Sequence, residues 1–256
     1  MFLFILMLVF IAIAVGLVWI LLARDRGQKK PVGALWIAFG FGALAFVAAI
    51  LVEILLVPTK YTSHISQHYA LSLAAFLLVG VIEESLKFVP MAVFVYRKKY
   101  FNEHTDGVIY FVIAGIGFGL PENILYTVSY GNGTGFARVL LTPFFHAAIT
   151  GIVGYYLSKT KIDHKSKLTI VFALLGAMLV HGVYDFGLKS GNILLVVLSL
   201  MITILLSIGL FLYFMRAKEL DAAEHLSAVG HNSFCRACGK PNPNHYLYCI
   251  YCGQRA

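Results

Sequence analysis

A chain of 256 residues that is 60% hydrophobic and only 12% charged, with a mean hydropathy of +0.83, is too apolar for a soluble core and reads as a membrane protein. Its formal charge of +8 comes from basic residues at the edges of apolar segments, which is a topology signal and not evidence for nucleic acid binding. Apolar stretches of about 20 residues, enough to cross some 30 Å of hydrocarbon as helix, predict an all-α polytopic membrane protein with seven transmembrane helices and a small cytoplasmic zinc ribbon after them.

The first span, 2–22, has no basic residue before it and no small-residue cleavage site after it, so it is expected to be retained and not removed as a signal peptide. The second covers 34–56 and the third 69–95. In the third, Glu83 and Lys87 lie one helical turn apart and can pair, while Glu84 points about 100° away toward other neighbours. The fourth span, 107–129, places Gly115, Gly119 and Glu122 on one stripe, so a neighbouring helix can approach closely beneath the carboxylate. The fifth, 137–157, carries His146 with Thr150 and Gly151; the sixth, 168–188, carries His181 and Asp185 on a shared face, where the acid can orient the imidazole. Lys189 to Asn192 make a tight hairpin into the seventh span, 191–215. Pro90, Pro121 and Pro143 all border these ionisable residues.

A charge at the bilayer centre costs roughly 2.5–3.5 kcal/mol, so Glu83, Glu84, Lys87, Glu122, His146, His181 and Asp185 must face one another or water. At about 1.5 Å of rise per residue, Glu122, His146 and His181 fall roughly 10–14 Å below the outer surface, Asp185 about 5 Å and Glu83 about 20 Å. That pattern predicts a polar cavity open to the outside with the glutamate pair at its floor. Sixteen of the 20 basic residues fall on one side of the membrane, which sets the N-terminus outside and the C-terminus in the cytoplasm. Lys60, Arg138 and Lys189 are assigned to the outer side.

Past the last span, 216–232 reads as a polar linker and 233–256 as a metal-binding module. Cys235, Cys238, Cys249 and Cys252 form two CxxC pairs, each followed by a glycine that permits the turn in which backbone N–H groups face sulfur. Four thiolates close a tetrahedral Zn²⁺ site and leave no position for substrate, so the ribbon is structural and suited to a cytoplasmic protein partner.

Together, Glu83-Glu84-x-x-Lys87, Glu122-Asn123, His146 with Thr150-Gly151, and His181-Gly-x-Tyr184-Asp185 resemble the PrsW intramembrane proteases, relatives of the CAAX-protease and bacteriocin-processing superfamily. The resemblance covers about residues 70–190, the protease-like core of a membrane domain spanning 1–215. It implies a prokaryotic cell-membrane peptidase that cuts a membrane-anchored protein, such as an anti-sigma factor, on its outer side. The zinc ribbon is no part of the family's catalytic pattern. Two chemistries stay open: Glu83 or Glu84 as general base with His146 and His181 holding the water or the oxyanion and Glu122 completing the polar site, or a second, catalytic metal on both histidines and a glutamate. An ion-coupled transporter and a non-catalytic scaffold that recruits a partner through the ribbon are the competing readings of the same residues.

Overall fold

The computed structural model describes residues 2–25, 27–63, 65, 68–229, 235, 237–240, 248, 249 and 251–254, with the side chains of 225–229 outside that description. The remaining positions of the predicted linker and ribbon therefore lie outside the described residues. In chain order the helices are α1 (Phe2–Arg24), α2 (Val32–Leu56), the short α3 (Thr59–Ser63), α4 (Tyr69–Pro90), α5 (His104–Tyr130), α6 (Asn132–Ile162), α7 (Leu168–Lys189) and α8 (Ile193–Val229). All but α3 are long and apolar enough to span a bilayer, and these seven are the seven expected from hydropathy, in the same order.

α5 and α6 are the most enclosed of the spans, and α5 packs against α1, α2, α6 and α8. α1 and α8 turn most of their surface outward, as helices do whose solvent is lipid. Leu6, Phe10 and Ala14 of α1 join Ile109, Val112 and Ile113 of α5 in the main apolar core. After Pro90, which donates no backbone hydrogen bond, α4 gives way to a π-helical turn at Met91–Val95, closed by the Tyr96 N–H on the Met91 carbonyl at 2.9 Å.

The two helix pairs that meet at the ionisable residues approach closely because small residues face backbone. A Cβ at Gly115 of α5 would overlap the His146 carbonyl of α6, and one at Gly80 of α4 would overlap the Met178 carbonyl of α7, where Gly182 in turn faces Phe76 and Leu77. These contacts carry Glu122 to His146 and Glu84 to His181. The expected stripe of Gly115, Gly119 and Glu122 is the surface on which α6 lies; Gly119 faces the His146 ring itself.

At the end of the bundle away from α3, polar residues tie the helix ends together. Lys30, between α1 and α2, pairs with Asp25 at 3.1 Å, Glu103 at 2.6 Å and Asp106 at 2.7 Å. Burial opposes the Lys30 charge, but those three carboxylates outweigh it and hold the ammonium above its usual range. The stretch from Arg216, read from sequence as the start of a linker, continues α8 unbroken through Val229. This extension is anchored: Asp221 accepts from the His104 N–H at 2.6 Å and the Thr105 N–H at 3.0 Å, and meets the His104 ring at 2.7 Å.

Candidate active site

Four helices contribute to one buried polar chain. Starting on α6, an Arg138 Nη donates to Glu122 Oε1 at 2.6 Å, and Glu122 Oε2 accepts from His146 Nε2 at 2.7 Å. His146 Nδ1 stands 3.1 Å from Lys87 Nζ, which also donates to Glu84 Oε1 at 2.7 Å. The same Glu84 oxygen accepts from His181 Nδ1 at 2.7 Å, and His181 Nε2 faces Glu83 Oε2 at 3.3 Å and Asp185 Oδ2 at 3.6 Å. None of the seven residues predicted from sequence is more than 6% exposed. All seven share one cluster, and the depth gap expected between Glu83 and the histidines is closed.

Packing fixes the two imidazoles. Phe145 stacks on Tyr184 at a centroid distance of 3.7 Å, one residue before His146 and three after His181. The rings of His146 and His181 lie 5.3 Å apart. Two pairings differ from expectation. Lys87 lies closer to Glu84 than to Glu83, which is 3.7 Å away, because positions three apart on a helix are neighbours as much as positions four apart. His181 donates its close hydrogen bond to Glu84 on α4; Asp185, its expected partner on the same helix, stays at 3.6 Å.

The contacts assign the tautomers. An ammonium only donates, so His146 presents its Nδ1 lone pair to Lys87 and gives its Nε2 hydrogen to Glu122. His181 gives its Nδ1 hydrogen to Glu84, which leaves Nε2 aimed at two carboxylates. Glu83 Oε2 is buried and has no hydrogen-bond partner among the described residues. A lone pair facing two carboxylates calls for a positive centre between them, supplied by a proton or a metal ion.

The donor set also fits a metal. Ligand atoms of Glu83, His146 and His181 all lie within 4.8 Å of one another. Each imidazole has one nitrogen held by a carboxylate, Glu122 for His146 and Glu84 for His181, the outer-shell arrangement that orients metal-bound histidines. Lys87 occupies the His146 Nδ1 lone pair here, so an ion at that nitrogen would leave the ammonium to Glu84.

One face of the cluster opens into a cavity of about 280 Å³ toward the end of the bundle that carries α3. Glu83, Glu122 and Asp185 reach its wall, along with Glu53, Tyr126 and Lys189. Glu84, Lys87 and both histidines lie behind that wall. Sequence reasoning assigned Arg138 and Lys189 to the outer connection and did not single out Glu53. Arg138 is buried with 7% exposure as the partner of Glu122, and its ring partner Tyr126 lies 3.9 Å away. The available signal for Arg138 was its place two turns before His146, on the stripe of α6 that faces the core.

In the tail, Cys235 and Cys252 lie 3.7 Å apart at sulfur and Cys238 and Cys249 3.6 Å apart, far beyond the roughly 2.0 Å of a disulfide. Zn–S bonds of about 2.3 Å in a tetrahedron give sulfur separations of roughly 3.8 Å, so the four thiols are grouped as a metal site requires. Each CxxC makes the same turn: the Ala237 N–H faces Cys235 Sγ and the Tyr251 N–H faces Cys249 Sγ, both at 3.4 Å. Gly239 and Gly253 close the two turns at φ of 69° and 74°, a region that favours glycine.

Residues 30–211 match a family model described as PrsW family intramembrane metalloprotease. The chain is 38% identical over 118 residues to Protease PrsW of Bacillus subtilis (strain 168), an alignment covering 45% of this chain and 54%, about half, of that protein. It is 35% identical over 173 residues to Protease PrsW of Shouchella clausii (strain KSM-K16), 65% of this chain and 75% of that protein. With Protease PrsW of Clostridioides difficile (strain 630) it shares 31% identity over 187 residues, 70% of this chain and 77% of the relative. No solved structure matches the chain. The matched segment runs from the start of α2 into α8 and contains every residue of the buried chain from Glu83 to Asp185, so this multi-pass membrane protein belongs to the PrsW family of intramembrane metalloproteases.

Proposed function

We propose that this membrane protease hydrolyses a peptide bond of a membrane-anchored protein, anti-sigma-factor-like by family resemblance, at the cavity on the α3 end of the bundle, and that this end faces the outside of the cell. The observation that carries the proposal is Glu83 Oε2: a buried carboxylate oxygen without a hydrogen bond among the described residues, on the cavity wall, 3.3 Å from a histidine nitrogen whose other side is held by Glu84.

Glu83 is the general base on this reading. It takes a proton from a water in the cavity as the water oxygen bonds to the scissile carbonyl carbon, and it returns that proton to the leaving amine as the C–N bond breaks. Glu84 and Lys87 are positioning residues: the acid fixes the His181 tautomer, and the ammonium holds the His146 lone pair and neutralises Glu84. His181 Nε2 and Asp185 face the same point as Glu83 and, as acceptors, hold the attacking water there; protonated at Nε2, His181 also donates to the oxyanion. Glu122, neutralised by Arg138, fixes His146. On the metal-dependent alternative Glu83 would be a ligand with His146 and His181 and not the base, and the ion would lower the pKa of a bound water and polarise the carbonyl.

The cysteine cluster is proposed to hold a structural Zn²⁺, with a cytoplasmic protein as the partner of the ribbon. Its four thiolates would fill the coordination of one ion, and no cysteine lines the cavity. The transporter and scaffold readings are displaced by the family membership.

Purified chain in detergent, given a fluorogenic peptide library, tests the assignment. Glu83→Gln and Glu84→Gln are each expected to reduce turnover about 10²–10⁴-fold. Metal analysis of wild type against a chain truncated after Val229 separates the two sites: an ion retained by the truncated chain and lost in Glu83→Gln is the catalytic one. Full activity in Glu83→Gln would overturn its role as base.

A further inference from the structure

The cavity beside Glu83 contains an acid that neither the buried chain nor the family motif uses. Glu53 stands in the last turn of α2, on the cavity wall, and its Oε1 is buried without a hydrogen-bond partner. The other acids on that wall each have a cationic or imidazole neighbour: Arg138 and His146 at Glu122, His181 and Lys87 at Glu83, His181 at Asp185. Among the described residues the Glu53 side chain has neither an ion pair nor a hydrogen bond. Lys189, the one cation on the same wall, spends its ammonium elsewhere, donating to the Tyr126 hydroxyl at 2.5 Å and lying 4.7 Å over the Tyr126 ring.

A carboxylate at the edge of the hydrocarbon with no ion-pair partner among the described residues is an unfinished interaction, and the space in front of it is the space a substrate must enter. At about 280 Å³ the cavity is at the small end of ligand sites, which run from roughly 300 Å³ upward; it has room for a side chain or two beside the scissile bond and none for a folded segment. Phe46, Ala49, Ile50 and Val79 line the approach and suit the aliphatic stem of a long side chain, with the acid at its end. The mouth lies where α2 ends and α3 begins, so the chain of a membrane-anchored substrate would meet Glu53 where it leaves the bilayer.

We infer that this cavity is the substrate-recognition site and that Glu53 selects a lysine or arginine side chain at a fixed distance from the cleaved bond. The inference rests on the protease reading above and adds the substrate class. A polar group placed to complete a buried, unpaired partner discriminates strongly against the analogue that lacks it, so the preference for a cation over a neutral isostere is expected to exceed 10-fold.

The test uses full-length protein in detergent and decapeptides randomised at all positions, with cleavage products read by mass spectrometry. Wild type is expected to show lysine and arginine enriched at least 10-fold over glutamine at one position relative to the cut. Glu53→Gln should abolish that enrichment, and Glu53→Lys should shift it toward aspartate and glutamate. Absence of basic enrichment in wild type, or its persistence in Glu53→Gln, overturns the proposal while leaving the protease reading intact. Failure of wild type to make any cut that Glu84→Gln does not also make defeats the protease reading. Fluorescence anisotropy then decides the recognition claim separately, by comparing a labelled arginine peptide with its glutamine counterpart on wild type and on Glu53→Gln. Equal binding of both peptides to wild type overturns it.

Discussion

Glu122 illustrates how a carboxylate persists at membrane depth. Its two oxygens are divided between the Arg138 guanidinium at 2.6 Å and His146 Nε2 at 2.7 Å, so the charge is matched and the geometry of the imidazole follows. Removing the cation alone leaves an uncompensated buried acid. Arg138→Met is therefore expected to destabilise the fold by about 3–5 kcal/mol, measured by thermal unfolding in detergent, whereas Arg138→Met with Glu122→Gln should recover most of that loss. Activity should not recover with it, because glutamine presents a different hydrogen-bonding partner to His146. Equal unfolding temperatures for the single and double variants would contradict the pairing. Asp185 gives a contrasting case: at 3.6 Å from His181 it is no close hydrogen-bond partner, so Asp185→Asn is expected to lower turnover without the fall in stability that follows Arg138→Met.

At the scale of elements, the site depends on how close two helix pairs can come. α6 lies on the Gly115 and Gly119 stripe of α5, and α7 lies on α4 through Gly80 and Gly182. Gly115→Val would push the His146 backbone away from α5, costing roughly 1–3 kcal/mol and drawing His146 off Glu122. The expected result is a folded protein with turnover reduced at least 10-fold, and a Gly115→Val variant of wild-type activity would show that this contact does not set the site. At the opposite end, Asp221 of α8 caps the first turn of α5. Asp221→Ala is expected to cost about 0.5–2 kcal/mol and to raise hydrogen exchange at the His104 and Thr105 amides. Asp163 joins this end by accepting from His104 Nε2 at 2.7 Å and from Lys159 at 3.2 Å. Slight burial pushes its carboxyl up, but those two partners outweigh it and hold it below the usual carboxylate range. Its contribution is thus present at neutral pH, above the unfolded value of about 3.9, and is lost as pH falls through the lowered folded value. Since Asp163 is partly exposed, the acid-side loss should be small, and Asp163→Asn should remove it from the stability–pH curve.

Across the whole molecule, the membrane cluster and the cysteine cluster have separate ligands and separate chemistry. The first is built from groups on four helices; the second comes from two short turns that repeat one another. Cys235→Ser with Cys249→Ser is expected to remove one equivalent of metal and to leave hydrolysis of short peptides within about twofold of wild type, because no cysteine lies on the buried chain or on the cavity wall. Loss of peptide hydrolysis in that variant would show that the tail acts on the membrane site. The continuity of α8 from its span through Asp221 to Val229 is the physical route such coupling would use.

Much of this was legible in the chain itself. The number and order of the spans follow from runs of apolar residues, because a helix that crosses hydrocarbon must be apolar over a length set by the bilayer. The seven ionisable residues stood out because charge is costly there, and the paired CxxC turns stood out because their glycines and spacing encode the thiol geometry locally. Local information did not extend to partners across helices. Arg138 looked like an outer-connection cation and Glu53 like an ordinary acid near a helix end, since their neighbours come from other spans. The Glu84 hydrogen bond to His181, the release of Glu83 toward the cavity and the closing of the depth gap were decided only by tertiary structure. They depend on the rotation and separation of packed helices, which small-residue contacts between distant segments set and no single span specifies.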